Sequence, residues 1–166
     1  AIVGAGAIGL LLVQLARLAG AREIVVSDIS EARLALALRL GATRTVNSSR
    51  NSLPEMVRDV DVAFEAVGIQ AALDDAFAVL RKGGRLVLVG LFSRCPEIDA
   101  FGFVNREIDL MSSVGYRDVF PSLIAMIDAG AFDPSLIVTR QIPLAHVVSD
   151  GFERLLRETD DVKILV

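Results

Sequence analysis

Ala1-Ile2-Val3-Gly4-Ala5-Gly6-Ala7-Ile8-Gly9 opens the chain, and its reading decides the fold. Three apolar residues run into a turn holding Gly4, Gly6 and Gly9. The residues that follow, Leu10 to Ala19, include only Gln14 and Arg17 as polar side chains. The pattern predicts a strand, a glycine turn and a helix covered on most sides, with Gly20 as its stop. Glu23-Ile24-Val25-Val26-Ser27-Asp28 reads as a second strand that ends in an acid. For a bound dinucleotide each glycine has a task. Gly4 permits the tight turn, Gly6 lets a pyrophosphate reach the backbone, and Gly9 lets the helix pack on the sheet. The helix start offers free N–H groups and partial positive charge to the phosphates. Asp28 stands where a carboxylate accepts from the adenosine ribose hydroxyls and repels a 2′-phosphate, which favours NAD over NADP. Ala7, Ile8 and Ile29 flank these residues and belong to the same expected cofactor surface. The plainer reading is a turn shaped by glycines for its own sake, with Asp28 opening the loop before Ser30.

The alternation continues outward from this unit. Ser30 caps a helix that runs to Leu40 and stops at Gly41. A short strand follows near Thr43 to Val46, then a polar loop from Asn47 to Ser52, with Pro54 in the first turn of a short helix. Asp61 to Glu65 is a strand, Gln70 to Leu80 a helix stopped by Lys82-Gly83-Gly84, and Arg85 to Gly90 a continuous apolar strand of the parallel kind. After a loop with Pro96, Ile108 to Val114 forms an edge strand. The fold class is α/β, a Rossmann doubly wound parallel sheet with helices on both faces. Beyond Gly115 the pattern loosens. A helix over 118–129, a strand-like stretch over 136–142, a helix over 145–157 and a final strand over 163–166 are expected. The first strand is short for a buried one, and no Met precedes it, so the chain reads as a piece of a longer protein.

In an open parallel sheet, ligands bind outside the carboxyl ends of the strands where strand order reverses. Ala66-Val67-Gly68 and Val89-Gly90-Leu91 each follow a strand. Ala66, Val67, Val89, Gly90 and Leu91 either line the ribose and nicotinamide or form tight turns over a core. Arg33 stands where a capping box prefers Glu or Gln. It lies against the adenosine or is a solvated helix-surface cation. Glu65 is either a buried carboxylate near the cofactor or, the favoured reading, a strand-end acid reaching solvent. His146 and Cys95 read as surface residues without reactive neighbours.

Composition bounds the partners. Of 166 residues, 53% are hydrophobic and 23% charged, enough apolar material for a core. Seventeen Lys and Arg against twenty-one Asp and Glu leave a net charge of −4 with no basic cluster. Nucleic acid and anionic membrane are therefore poor candidates as partners. Apolar runs such as Leu10 to Val13 fall short of a membrane span. One Cys and one His exclude an intramolecular disulfide, suit a cytoplasmic setting, and argue against a self-contained Cys/His zinc site.

Four stretches carry a resemblance: Gly4 to Leu11, Asp28-Ile29-Ser30, Leu40-Gly41-Ala42, and Val62 to Gly68. They resemble the zinc-dependent alcohol dehydrogenase family, the medium-chain dehydrogenases/reductases. Val114 to Pro121, Asp150-Gly151-Phe152 and Val162 to Val166 look most like its butanediol and sorbitol dehydrogenase branch. The resemblance covers essentially the whole chain. It implies oxidation of a secondary alcohol or vicinal diol with NAD, zinc polarising the alcohol oxygen. It also implies that Gly4, Gly6 and Gly9 serve the phosphates, Asp28 the ribose, Arg33 the adenosine, and Val67, Val89 and Leu91 the nicotinamide half. Lys163 matches a basic position that approaches the cofactor phosphates; otherwise it is a solvated terminal lysine.

By resemblance, residues 1–115 form the NAD-binding Rossmann domain. Residues 116–166 belong to a segment that returns to a catalytic domain N-terminal to it. That missing domain holds the zinc ligands, so no catalytic or metal-binding residue is expected in this chain, and the chain alone should not catalyse. The strand 108–114 resembles the family's dimer-forming strand, which predicts a homodimer or tetramer through an open sheet edge. Departures from the family pattern are Ala7, where relatives carry proline, and a short segment from Ser48 to Asp59. Two other readings stay open: a non-catalytic NAD-binding module, and a zinc-free NADPH-dependent quinone or enoyl reductase on the same fold, which Asp28 opposes.

Overall fold

Val3 and Ile2 point to opposite faces of a strand, and each anchors its own half of the core. The structure, a computed structural model, describes residues 1–157 and 160–166. Its strands β1 (Ile2–Val3), β2 (Val25–Asp28), β3 (Arg44–Asn47), β4 (Val60–Glu65), β5 (Leu80–Leu88) and β6 (Asp109–Ser112) pair in parallel. Their order is β3-β2-β1-β4-β5-β6. The chain winds outward from β1 to β3, then returns beside β1 and winds the other way, so order reverses between β1 and β4. This is the expected doubly wound sheet.

Helices α1 (Ala7–Leu18), α2 (Glu31–Leu40), α3 (Leu53–Met56), α4 (Gln70–Ala78) and α5 (Ala100–Arg106) connect the strands. Ile2 and Val26, paired in register, pack with Leu10, Val13, Leu34 and Leu40 of α1 and α2. Val3 and Val25 face the other way, onto Leu53, Leu73, Ala76 and Leu86. Burial on both faces explains why the inner strands read as continuous apolar runs. Ser30 caps α2 as expected, its Oγ accepting from Arg33 N–H at 3.3 Å, and Gly41 ends the helix with φ +115°.

Several expectations need correction. The helix from Gln70 ends at Ala78, because Val60 N–H bonds Val79 C=O and draws the chain into β5 early. Lys82-Gly83-Gly84 is therefore not a helix stop. It is an out-of-register loop inside β5, between Leu80, which pairs with Val60, and Arg85, which pairs with Val62. Helix α5 lies where the pattern predicts only a loop with Pro96. Asp99 caps it by accepting from Gly102 N–H at 2.9 Å, and Phe103 stacks on Phe77 at 4.6 Å.

After β6 come α6 (Phe120–Asp128), a 3₁₀ turn (Pro134–Ile137), β7 (Val138–Gln141), α7 (Glu153–Arg157) and β8 (Lys163–Leu165). The helix expected over 145–157 is broken into a 3₁₀ turn at Leu144–His146, a wide π turn at Val147–Phe152, and α7. The π turn holds Gly151, which is buried close against Ile142. β8 pairs with β7 in a separate two-stranded sheet and does not extend the main one. No helix among the described residues is long and apolar enough to cross a membrane.

Gln14, one of two polar residues on an otherwise apolar helix, is buried. Its amide donates to Asp133 C=O at 3.1 Å and accepts from Asp133 N–H at 3.2 Å, tying α1 to the C-terminal segment. Gln14→Leu leaves that backbone donor and acceptor unpaired. It should lower stability in urea denaturation by about 1–3 kcal/mol; an unchanged midpoint would show that the tie carries no weight.

Candidate functional site

Strand order reverses between β1 and β4, so the glycine turn after β1 meets the turn after β4 at the carboxyl edge of the sheet. Gly4 has φ +103°, a region open to glycine, and its N–H donates to Ser27 C=O at 2.7 Å. A Cβ there would also meet Val67 Cγ2 at 2.6 Å. At Gly9 a Cβ would fall 1.8 Å from the Gly4 carbonyl oxygen, so α1 can approach the turn only without a side chain at that point.

Gly6 differs from both. Its φ is −69°, which any residue adopts, and a Cβ there would meet nothing within 4 Å. The protein's own packing does not demand glycine at position 6. The space a side chain would fill lies at the start of α1, where Gly6 is an N-cap with no side-chain cap bond and the first turn has no acid. The first N–H groups of a helix have no intrahelical partner, so the α1 start can receive an anion.

Asp28 ends β2 beside this turn. Its Oδ2 accepts from Ala5 N–H at 2.7 Å and its Oδ1 from Ser30 N–H at 2.9 Å. The two bonds fix the carboxylate at the mouth of the turn, and each oxygen keeps acceptor capacity for a hydroxyl. Ile29 and Ile8 are exposed nearby in sequence, and Ala7 is half-buried.

The turns after β4 and β5 interlock with the first. Val67, half-exposed, lies over Gly4, and Val89 and Gly90 both donate to Glu65 C=O. Leu91 is 79% exposed at the rim, and Ala66 donates to Val3 C=O.

Glu65 holds this corner together. The favoured reading placed it in solvent, yet it is fully buried. Its Oε1 accepts from Val67 N–H at 2.9 Å and Gly68 N–H at 2.7 Å, which fixes the turn after β4. Among the described residues its Oε2 has no hydrogen-bond partner, and it faces Gly90, where a Cβ would fall 2.4 Å away. The signal in the sequence was an acid ending an apolar strand, three residues before a glycine.

Arg33 and Lys163 both belong with the C-terminal segment in the structure. Arg33 is not a solvated surface residue: it is half-buried and its Nη2 donates to Asp161 C=O at 2.9 Å. Lys163 stands exposed on β8, opposite Val138 of β7. Its neighbour Val162 packs against the core cluster of α1 and α2. Asp161 is buried beside Arg154 and Arg140. Burial alone would raise its carboxyl pKa, but bonds from Arg154 and Thr139 and the two guanidinium charges outweigh that and hold it below the ordinary value. Among the described residues, no three His, Cys, Asp or Glu side chains converge to hold a metal ion. Cys95 is exposed, and His146 pairs with Asp150 on the surface.

The glycines separate in a stability test. Gly9→Ala should cost about 1–3 kcal/mol or more through overpacking. Gly6→Ala should leave the unfolding free energy within about 0.5 kcal/mol of the parent's, as for a surface substitution. Equal losses at both positions would contradict the open space at Gly6.

Comparison with known proteins agrees with this geometry. The profile of the family described as zinc-binding dehydrogenase matches residues 7–129. The (R,R)-butanediol dehydrogenase of Bacillus subtilis (strain 168) is 32% identical over 171 residues, covering 100% of this chain and 49% of the relative. The sorbitol dehydrogenase of the same strain is 34% identical over 174 residues, with the same coverage. A solved zinc-binding dehydrogenase from Sinorhizobium meliloti 1021, bound to NADP, superposes with a TM-score of 0.89 at 28% identity, covering 98% of this chain and 50% of that one. The chain thus spans about half the length of the curated relatives it matches. The match covers most of the chain, from the helix after the glycine turn through β2 to β6: this chain belongs to the zinc-binding dehydrogenase family.

Proposed function

We propose that this chain is the cofactor-binding part of an NAD-dependent dehydrogenase acting on a secondary alcohol or a vicinal diol. The observation that carries the reading is the open space at Gly6, at the amino end of α1 and beside a carboxylate fixed by Ala5 and Ser30. A diphosphate fills the first position and the adenosine ribose the second. Val67, Val89, Gly90 and Leu91, at the ends of β4 and β5, line the nicotinamide half, and the Lys163 ammonium, exposed on β8, serves the phosphates. The alcohol and diol dehydrogenases among the relatives support the substrate class.

In this reading the chain's own residues bind and orient the cofactor. Asp28 selects a free 2′-hydroxyl, and Glu65 holds the turn that supports Val67. No cluster among the described residues fits zinc; held by residues outside this chain, it would supply Lewis-acid polarisation of the alcohol oxygen. Residues 1–115 act as the dinucleotide domain, and residues 116–166 face the remainder of a longer enzyme. The exposed apolar helix α6 suits such a covering. By itself the chain should bind NAD weakly and turn over no alcohol.

Calorimetric titration of the chain with NAD and NADPH tests the cofactor. NAD should bind more tightly, and Asp28→Ala should weaken it at least about tenfold, or roughly 1.4 kcal/mol. Stronger binding of NADPH would defeat the reading.

β6 offers a route to self-association. Its four residues are all exposed, and among the described residues it pairs only with β5 on its inner side. An uncovered edge of this kind pairs readily with a second copy, extending one sheet into the next. Gel filtration with light scattering should show a dimer, and Leu110→Pro should convert it to monomer without unfolding it. A monomer at all concentrations would count against the dimer.

A further inference from the structure

The C-terminal segment reaches back to the loop between β2 and α2. Ser30 Oγ donates to Asp160 Oδ1 at 3.0 Å, while Ser30 N–H donates to Asp28 Oδ1 at 2.9 Å. Two carboxylates from opposite ends of the chain therefore flank one serine. The neighbouring residue anchors this arrangement. Asp161 is 5% exposed and held by Arg154 and Arg140, and its carbonyl takes Arg33 Nη2 at 2.9 Å. Arg33 is the cation of α2 nearest the loop in sequence, and this bond turns its guanidinium toward the C-terminal segment. Its Nε is buried without a hydrogen-bond partner among the described residues. Any anion entering beside Asp28 thus meets a second negative charge, while the adjacent cation is already engaged.

We propose that Asp160 is a specificity-determining residue for the adenosine end of the crevice. With Asp28 it forms a two-carboxylate guard that admits a ribose bearing a free 2′-hydroxyl and repels one bearing a 2′-phosphate. The proposal rests on the dinucleotide reading above and adds a residue from the far end of the chain. Discrimination of this kind comes from repulsion built against the wrong ligand more than from attraction to the right one.

The test uses a matched pair of ligands, adenosine 5′-monophosphate and adenosine 2′,5′-bisphosphate, titrated calorimetrically into the chain and its Asp160→Asn variant at low ionic strength. Asparagine keeps an oxygen to accept from Ser30 and removes the charge. The variant should bind the bisphosphate about three- to tenfold more tightly, with the monophosphate within about twofold, and added salt should shrink the gain. If the two ligands shift together, Asp160 is only a strut for the C-terminal segment and the proposal fails. It also fails if neither shifts, or if the parent chain already binds the bisphosphate as tightly as the monophosphate. If the parent chain binds neither these ligands nor NAD, the dinucleotide reading itself falls, and this proposal with it.

Discussion

The Gly4 carbonyl lies where a side chain on Gly9 would have to be, and that approach sets the position of α1 on the sheet. With α1 seated, Leu10 and Val13 reach Ile2 and Val26, and one face of the core closes. The same approach leaves the start of α1 pointing over the carboxyl edge of β1. Asp28 then accepts from Ala5, so the end of β2 is locked to the turn by a charge-assisted bond that is stronger than a neutral one. Fold and crevice are consequences of one backbone contact, so a change at Gly9 affects both, whereas one at Gly6 affects only what enters.

Much of this was legible because it is local. A glycine turn between an apolar strand and an apolar helix needs no distant information, and neither does an acid closing the next strand. The strands that matter most are buried on both faces, so they announce themselves as apolar runs. What escaped depends on contacts from far along the chain. Gln14 is a polar residue in an apolar helix with no local partner, and Asp133 supplies one from far along the chain. Glu65 looked like an acid leaving a strand for solvent, but the two N–H groups of the turn that follows draw it inward. The reading of Arg33 as a solvated surface cation fails because the Asp161 carbonyl takes its guanidinium. α5 gave no amphipathic signal, since Phe101 and Val104 are exposed and only seven residues form it.

The buried Glu65 illustrates how polar groups are used at this corner. Oε1 satisfies two backbone donors at once, while Oε2 lies unpartnered against a position that tolerates only glycine. An unpaired buried oxygen is costly, and such costs collect at functional corners where geometry outranks stability. Three turns from three strands meet within one another's van der Waals radius there. Glu65 joins two of them: its carboxylate takes the turn after β4, and its backbone carbonyl accepts from Val89 and Gly90 after β5.

The Gln14–Asp133 and Ser30–Asp160 bonds join residues 119 and 130 positions apart. Contacts of such long sequence separation carry a large loop-closure cost before they return any energy, and they form late. During synthesis, when the amino-terminal part emerges first, the six-stranded sheet can assemble while α1 still lacks its outer tie. The topology thus divides the contacts in two: the sheet closes through its own six strands, while α1 is fastened by residues more than a hundred positions further along the chain.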